Sequence, residues 1–249
     1  MKKLSVITVT YNCAPSIQKT LESVSTQYPD VVEHIVIDGG SVDGTIEIIN
    51  KYKDNLAYFI SELDRGIYDA MNKGIDAASG DWLLFLNAGD VFYEKTSLSN
   101  LKLDWPVGTE FVVFPFMIDG DIEPKLPDLN VRFGMPTSHQ AMLISAPVAK
   151  QIRLNSQYKV AADYEFFIKR YSLNKACVYV EHDILSKVLP GGYAELNLNA
   201  MVREYQKIVF ENLGLKKSLV YYFWSHPLLF KIVKTILPTE IFNKLKFYG

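Results

Sequence analysis

The sequence has few of the features that define several common classes of protein. Its two cysteines, Cys13 and Cys177, lie far apart, which argues against a disulfide framework or a zinc site and indicates a reducing compartment. A net charge of −2, from 26 basic and 28 acidic residues, lacks the basic excess of a general nucleic-acid binder. No run of about 18 apolar residues occurs, so no transmembrane helix is predicted. Polar residues also interrupt segment 4–12, which is therefore not typical of a signal peptide.

The segment after the first predicted strand lacks the Gly-x-Gly-x-x-Gly motif that binds dinucleotides. Residues 11–15 read Tyr-Asn-Cys-Ala-Pro instead, which argues against a Rossmann-type oxidoreductase. The chain is nonetheless 49% apolar and 22% charged, a balance typical of a folded globular protein. Its class must therefore be inferred from the motifs that are present.

A short apolar segment at residues 81–90 is the most informative part of the chain. It runs through five apolar residues and stops at Asn-Ala-Gly-Asp. An uninterrupted apolar run bounded by turn residues is typical of a strand buried on both faces of a mostly parallel sheet. Ligands bind outside the carboxyl ends of the strands in open α/β sheets. Asp90 is therefore predicted to present its carboxylate to a ligand.

Apolar periodicity divides the first hundred residues into alternating strands and helices. Strands are predicted at 4–10, 34–38, 57–61 and 81–90, and helices after residue 15, at 43–52 and at 67–80. This alternation implies parallel strands with right-handed crossovers, and so an α/β sheet of the nucleotide-binding type. The later pattern predicts strands at 111–116, 140–145 and 176–180, helices at 162–172 and 196–212, and a mobile loop at 183–193. We expect one α/β domain over residues 1–212.

The C-terminal tail, residues 213–249, differs from the rest in composition. From residue 212 onward there are six lysines and one acid, together with many aromatic residues. Lysines beside aromatic and apolar residues are typical of amphipathic helices that lie in an anionic membrane interface. The alternative is a helical pair that packs on the domain or on another subunit.

Polar side chains follow three of the predicted strands, at Thr10–Asn12, at Asp38 and at residues 87–90. Carboxylates that meet at one sheet edge repel each other unless a cation or a donor-rich ligand pairs with them. A nucleoside diphosphate with a divalent ion provides both, and hard cations such as Mg²⁺ or Mn²⁺ take oxygen ligands. Asp43, taken alone, is explained equally well as a helix cap.

Four ordered segments, residues 5–12, 36–45, 61–74 and 80–90, carry a resemblance to a known family. They read SVITVTYN, VIDGGSVDGT, SELDRGIYDAMNKG and GDWLLFLNAGD. In these segments the chain resembles family-2 inverting glycosyltransferases with the GT-A fold, especially bacterial enzymes that extend capsular, exopolysaccharide or O-antigen repeat units. The resemblance makes residues 1–100 the nucleotide-sugar half and residues 101–212 the acceptor half.

The resemblance implies the residues that bind a UDP-sugar. The implied contacts are Thr10, Tyr11, Asn12, Asp38, Asp43, Asp64, Lys73, Asn87, Ala88 and Gly89. Asp90 matches the last Asp of the metal-binding D-x-D motif, and the first Asp of that motif is replaced, leaving Asn-Ala-Gly-Asp. The resemblance therefore implies Mn²⁺ or Mg²⁺ held weakly through Asp90.

The second half offers a candidate base and candidate acceptor contacts. Residues 162–166, Ala-Asp-Tyr-Glu-Phe, resemble the family's Glu-Asp block, which implies that Asp163 is the catalytic base. Glu165 is the competing candidate, and both are also explained as first-turn acids favoured by the helix dipole. The resemblance places the acceptor near His139, Gln140 and Glu165, although a His before a buried strand is as often structural.

The implied reaction is a single displacement that inverts the anomeric carbon. A hexosyl or N-acetylhexosaminyl group would pass from a UDP-sugar to a saccharide, with a polyprenyl-diphosphate-linked acceptor expected. The enzyme would then be cytoplasmic and peripheral, held on the inner face of the membrane by its tail. The alternative is a non-catalytic pseudo-glycosyltransferase that binds UDP and serves as a membrane-surface scaffold, which the replaced D-x-D residue favours.

Overall fold

A computed structural model describes residues 2–27, 31–93, 98, 101, 103–129, 131, 134–171 and 177–213. The described residues form a seven-stranded sheet with helices on both faces, and a second sheet of three short strands. The tail predicted over 213–249 lies outside the described residues except for Leu213, which ends the last helix. Within the described part, no helix is both long and apolar enough to cross a membrane.

The first half of the chain supplies four parallel strands of the large sheet, in the order β3-β2-β1-β4. The elements are β1 Leu4–Thr10, α1 Ala14–Ser25, β2 Val32–Asp38, α2 Thr45–Asn50, β3 Tyr58–Ser61, α3 Ile67–Ala77 and β4 Trp82–Phe85. The predicted parallel alternation is therefore confirmed. Strand β1 is buried along its whole length, as an apolar run in a covered parallel sheet should be.

The second half extends this sheet in the order β4-β8-β6-β9. Its elements are β5 Val91–Phe92, β6 Phe111–Val113, β7 Phe116–Ile118, β8 Met142–Ser145, α4 Ala146–Ile152, α5 Ala162–Tyr171, β9 Val178–Val180, β10 Ser186–Val188, α6 Tyr193–Leu196 and α7 Leu198–Leu213. Strand β8 runs antiparallel to β4 and β6, whereas β6 and β9 are parallel. The carboxyl ends of β1, β2, β4, β6 and β9 and the start of β8 therefore share one edge.

Two predictions in the second half are wrong. The single strand expected at 111–116 is two strands, β6 in the large sheet and β7 in the small one, because Pro115 has no N–H for a sheet ladder. The loop expected at 183–193 contains β10, which lies between β5 and β7 in the small sheet. Helix α4 was not predicted.

Alternating side chains of the sheet face two helical layers. Ile7 and Ile35 pack with α3, α4, α5 and α7 on one face, whereas Val36 packs against Ile17 and Leu21 of α1 on the other. At Gly74 of α3 an added Cβ would lie 2.3 Å from Ile7 Cγ2, so glycine allows this helix to touch β1 directly. Strands β1, β2 and β4 at the centre of the sheet are thereby covered on both faces.

Candidate active site

The carboxylate of Asp38, at the end of β2, is enclosed by its own loop. Its Oδ2 accepts hydrogen bonds from the backbone N–H groups of Gly40 at 3.0 Å and Ser41 at 2.9 Å, and from the Ser61 hydroxyl at 2.6 Å. The Ser41 hydroxyl donates to Oδ1, and the residue is 0% exposed. In this structure Asp38 therefore shapes the turn after β2.

A network of polar contacts ties the loop after β1 to the loop after β2. Asn12 donates its backbone N–H to Ser41 Oγ at 2.7 Å, and its side-chain oxygen accepts the Val42 N–H at 3.0 Å. Asp43 accepts the N–H groups of Ala14 at 3.0 Å and Thr45 at 3.1 Å, the first residues of α1 and α2. The Thr45 hydroxyl, followed by the Ala14 amide, lowers the pKa of Asp43. These are the contacts of a helix cap.

Tyr11 and Asp64 flank the glycine that follows Asp38. A Cβ on Gly39 would lie 2.5 Å from Asp64 Oδ2 and 3.4 Å from the Tyr11 ring, so a side chain there would touch Tyr11 and displace the Asp64 carboxylate. Asp64 Oδ1 accepts the Gly66 N–H at 2.8 Å, and Tyr11 is 61% exposed. Nearby, Thr10 Oγ1 is buried without a hydrogen-bond partner among the described residues. This part of the edge exposes an aromatic face beside a carboxylate.

Lys73 of α3 is held by the loop before its helix. Its Nζ lies 2.8 Å from Glu62 Oε1 and donates to the Leu63 carbonyl at 3.3 Å. The hydrogen bond to Glu62 raises the pKa of Lys73. A phosphate contact by Lys73, as the resemblance implies, would have to replace or share the Glu62 pair.

The Asn-Ala-Gly-Asp turn after β4 packs tightly against its surroundings. Ala88 contacts the apolar cluster of α1 and α2. Gly89 has a φ of 104° and donates its N–H to Thr20 Oγ1 at 2.8 Å, and an added Cβ would lie 3.0 Å from Leu189. Left-handed backbone at so crowded a point requires glycine.

The carboxylate of Asp90 is covered on both oxygens. Oδ2 accepts from Gln140 Nε2 at 2.7 Å, and Oδ1 accepts the Leu189 N–H, which follows β10, at 2.8 Å. Asp90 is 4% exposed, and this burial raises its pKa although both hydrogen bonds oppose the change. Gln140 is oriented in turn by the Ser138 hydroxyl.

The carboxylate of Asp90 is closed to a divalent ion in this arrangement. Each oxygen already accepts one N–H, and at 4% exposure the remaining lone pairs are not accessible to a hydrated cation. In the described part of the chain, no three His, Cys, Asp or Glu side chains lie close enough together to hold a metal. Asn87 Oδ1, which is buried and has no partner there, is one further oxygen at this edge.

Asp163 begins α5 and meets side chains from other elements. Its Oδ2 lies 3.2 Å from His139 Nδ1, and its Oδ1 accepts the Tyr164 N–H at 2.9 Å and the Tyr68 hydroxyl at 3.4 Å. His139 Nε2 in turn lies 2.8 Å from Asn87 Nδ2. The Asp163 side chain is 18% exposed. The structure thus brings together one candidate from each half of the chain, Asn87 and Asp163, through His139.

Glu165 lies elsewhere on the same helix. It is two residues beyond Asp163, which turns it by roughly 200° around the axis. It is 3% exposed, and its Oε1 pairs with Lys169 one turn later. Glu165 therefore does not share the surroundings of His139 and Asp163.

The start of α5 is fixed by the last helix. Glu204 of α7 accepts the backbone N–H groups of Lys159, Val160 and Ala161 at 2.8, 2.9 and 3.0 Å. A carboxylate at this position satisfies amides that have no partner within the helix and complements its dipole. Helix α7 thus fixes the turn that carries Asp163.

Two contributors to the site were missed by sequence reasoning. The ring of Tyr68 is buried in the core face of α3, and only its hydroxyl reaches Asp163. The helical spacing of Tyr68 in the sequence therefore indicated core packing and no role in the site. Leu189 acts through its backbone N–H, which no residue type reveals. Neither carried a signal that could have identified it.

Solved structures with the same architecture identify the fold as GT-A. The chain is similar to residues 1–349 of TarS from S. aureus in complex with UDP-GlcNAc, with a TM-score of 0.66 and 20% identity over 84% of this chain and 67% of that one. It is also similar to glucosyl-3-phosphoglycerate synthase from Mycobacterium tuberculosis in complex with Mn²⁺, UDP and phosphoglyceric acid. There the TM-score is 0.64 and the identity 18%, over 86% of this chain and 79% of that one.

Sequence comparison assigns the family. The model of glycosyl transferase family 2 matches residues 5–124. A PGL/p-HBAD biosynthesis glycosyltransferase of Mycobacterium bovis (strain BCG / Pasteur 1173P2) is 31% identical over 183 residues, which are 68% of this chain and 69% of that protein. The chain belongs to glycosyl transferase family 2, as its motifs predicted.

Proposed function

We propose that the protein is an inverting glycosyltransferase that uses Asp163 as its general base. The observation that carries this is the setting of Asp163, which is partly exposed, held by donors on both oxygens, and linked through His139 to Asn87 in the Asn-Ala-Gly-Asp turn. A base must lie within hydrogen-bond reach of the hydroxyl whose proton it takes. Asp163 meets that condition for a hydroxyl that enters at this sheet edge.

The donor would be a UDP-sugar bound at the ends of β1, β2 and β4. The related TarS structure is a complex with UDP-GlcNAc and that of glucosyl-3-phosphoglycerate synthase a complex with UDP, which supports a uridine nucleotide. Tyr11 offers an exposed ring for stacking, and Asp64 and Thr10 offer oxygens beside it. Asn87 Oδ1 is a buried acceptor that a sugar hydroxyl would satisfy, which would offset about 1–3 kcal/mol.

The reaction would be a single displacement. The acceptor oxygen forms a bond to the anomeric carbon while its proton moves to a carboxylate oxygen of Asp163, and the bond from that carbon to the UDP oxygen breaks on the opposite face. Oδ2 of Asp163 retains a lone pair beyond its contact with His139, so the carboxylate can accept this proton. No covalent intermediate with the protein is needed.

We also propose that Mn²⁺ or Mg²⁺ assists through Asp90, as the D-x-D resemblance implies. Mn²⁺ in the structure of a related fold supports a divalent ion. Because Asp90 is 4% exposed, binding there would require the segments that cover it, which carry Gln140 and Leu189, to open. We therefore expect the protein to bind the metal only when the UDP-sugar is bound as well.

The acceptor is proposed to be a polyprenyl-diphosphate-linked saccharide in surface polysaccharide synthesis, with the transferred sugar a hexose or N-acetylhexosamine. The lysine-rich, aromatic composition of residues 213–249 supports attachment to the inner face of the cell membrane. Deleting residues 218–249 should leave UDP binding unchanged and release the protein from anionic vesicles. Equal vesicle binding by the full and shortened chains would contradict the membrane role.

The covered carboxylate of Asp90 favours a second candidate, a UDP-binding scaffold without transferase activity. A screen of UDP-sugars with saccharide acceptors, read as UDP release with and without a chelator, separates the two. The transferase should release UDP faster with a suitable acceptor and hydrolyse its donor slowly without one. UDP binding with no release in any combination would favour the scaffold.

A further inference from the structure

Three side chains from separate elements form a hydrogen-bonded series at the candidate site. Asn87 follows β4, His139 lies in a turn of 3₁₀ helix before β8, and Asp163 begins α5. Asn87 Nδ2 lies 2.8 Å from His139 Nε2, and His139 Nδ1 lies 3.2 Å from Asp163 Oδ2. Since these residues are far apart in sequence, only the fold brings them together.

Asn87 determines which nitrogen of His139 carries the proton. An amide nitrogen has only hydrogens to offer, so Nε2 must be the acceptor. In a neutral imidazole the proton then lies on Nδ1 and is donated to the Asp163 carboxylate. The reverse orientation of the Asn87 amide would require protons on both ring nitrogens, because Nδ1 faces a carboxylate oxygen.

We propose that Asn87 and His139 are positioning residues that hold the carboxylate of Asp163 in the orientation needed to accept a proton from the acceptor hydroxyl. The proposal rests on the function proposed above, in which Asp163 is the base. His139 fixes Oδ2, while the Tyr164 N–H and the Tyr68 hydroxyl hold Oδ1. A carboxylate held on both oxygens cannot rotate away from the acceptor.

The residue type at position 87 is therefore specific to this arrangement. An aspartate there could not donate, so Nε2 would have to carry a proton itself. The neutral tautomer that donates from Nδ1 to Asp163 would then be lost.

Nitrogen NMR of the histidine rings in the full chain tests the tautomer without turnover. The signal of His139, identified by its loss in His139→Gln, should show a protonated Nδ1 and an unprotonated Nε2. Asn87→Asp, which leaves no donor for Nε2, should place a proton on that nitrogen. A wild-type ring with its proton on Nε2, or an Asn87→Asp ring identical to wild type, would overturn the assignment.

Kinetics test the positioning role. His139→Ala should lower kcat by about 10²-fold with an unchanged KM for the UDP-sugar, because a misplaced base loses its alignment. His139→Asn, whose amide nitrogen stands near the place of Nδ1, should recover to within about tenfold of wild type. Equal losses in the Asn and Ala variants, or a change in KM alone, would contradict positioning.

Asp163→Asn separates this inference from the proposed function. Loss of transfer in Asp163→Asn together with an unchanged kcat in His139→Ala would reject the positioning role and leave the base assigned. Full transfer by Asp163→Asn would reject the proposed function itself. If His139→Ala fails to fold, kcat and KM of His139→Asn against wild type, together with the tautomer, still test the proposal.

Discussion

The carboxylates of the two halves of the chain are held in different ways. In the first half, Asp38 and Asp43 accept backbone N–H groups from the turn after β2 and from the starts of α1 and α2, together with nearby serine and threonine hydroxyls. In the second half, Asp163 receives donors from a turn before β8 and from α3 as well as from its own helix. The first arrangement stabilises loops, whereas the second fixes the orientation of a carboxylate at the candidate site. The comparison indicates that an acidic motif residue is not reactive merely because it lies at the sheet edge.

The largest expected effect comes from Asp163→Asn. Loss of a general base typically lowers the rate by about 10²–10⁴-fold, and UDP binding should survive because Asp163 is separate from the loops after β1 and β2. Transfer rates and UDP titration of the same preparation measure both. Asp43→Asn is the matched control, because Asp43 has the contacts of a helix cap. If Asp163→Asn and Asp43→Asn lost transfer equally, the proposed difference between the carboxylates of the two halves would be contradicted.

Removal of the metal or of Asp90 should have the next largest effect. A divalent ion stabilises departing charge by several kcal/mol, so chelation should lower turnover by about 10²-fold. Asp90→Ala should show a similar loss and no recovery with added Mn²⁺. Turnover measured across a Mn²⁺ series provides the test. If a chelator leaves wild-type turnover unchanged, the metal role is contradicted, and Asp90 would stabilise its loop as Asp38 and Asp43 do.

Asp38→Ala should act mainly on stability. The change leaves the N–H groups of Gly40 and Ser41 and the Ser61 hydroxyl without their acceptor, at a cost of about 2 kcal/mol. Denaturant unfolding should show this loss, and the loss should exceed that of Asp163→Ala, because the Asp163 side chain is 18% exposed and water can replace part of its contacts. If Asp163→Ala lowered the free energy of unfolding and Asp38→Ala did not, this prediction would be contradicted.

The smallest expected effect is a pH dependence of stability in the first half. Burial lowers the pKa of His34 to about 3, and its Nε2 bonds to Thr8 Oγ1 at 2.9 Å. Because the unfolded chain takes up this proton near pH 6.5 and the folded chain does not, stability falls as pH drops below about 6.5. The slope should approach about 1.4 kcal/mol per pH unit between pH 6 and 5.

His34→Gln keeps a donor for Thr8 without a titrating ring, so its stability should change less over the same interval. Unfolding free energies at pH 7.5, 6 and 5 measure the difference. Glu33 does not interfere there. Burial alone would raise its pKa, but hydrogen bonds from Ser5 and Ser79 lower it to about 2, so its contribution is lost only below about pH 4.5. Identical slopes for His34→Gln and wild type would contradict the assignment to His34.

The sequence predicted the first half better than the second for a physical reason. Strands β1, β2 and β4 are buried runs whose composition alone indicates their type. Strand β10 is the three residues Ser-Lys-Val, too short and polar to stand out, and it forms only because β5 and β7 flank it. Pro115 did carry a signal for the break between β6 and β7.

The sequence predicted which residues belong to the candidate site but not the hydrogen bonds between them. Motif resemblance named Asn87, His139 and Asp163, and it gave them three unrelated roles. Their hydrogen bonds join segments 24 and 52 residues apart, and apolar periodicity contains no information about such distances. The burial of Asp90 could likewise not be predicted, because the Leu189 N–H that covers it lies 99 residues away in the sequence.

That same contact provides a natural reporter. An amide that donates to a buried carboxylate exchanges its hydrogen with solvent slowly, and it exchanges faster once the acceptor is taken by something else. Deuterium uptake at Leu189 would therefore record the release of Asp90 by a cation or a nucleotide. It would do so in the native chain, without a label, an acceptor or a completed reaction.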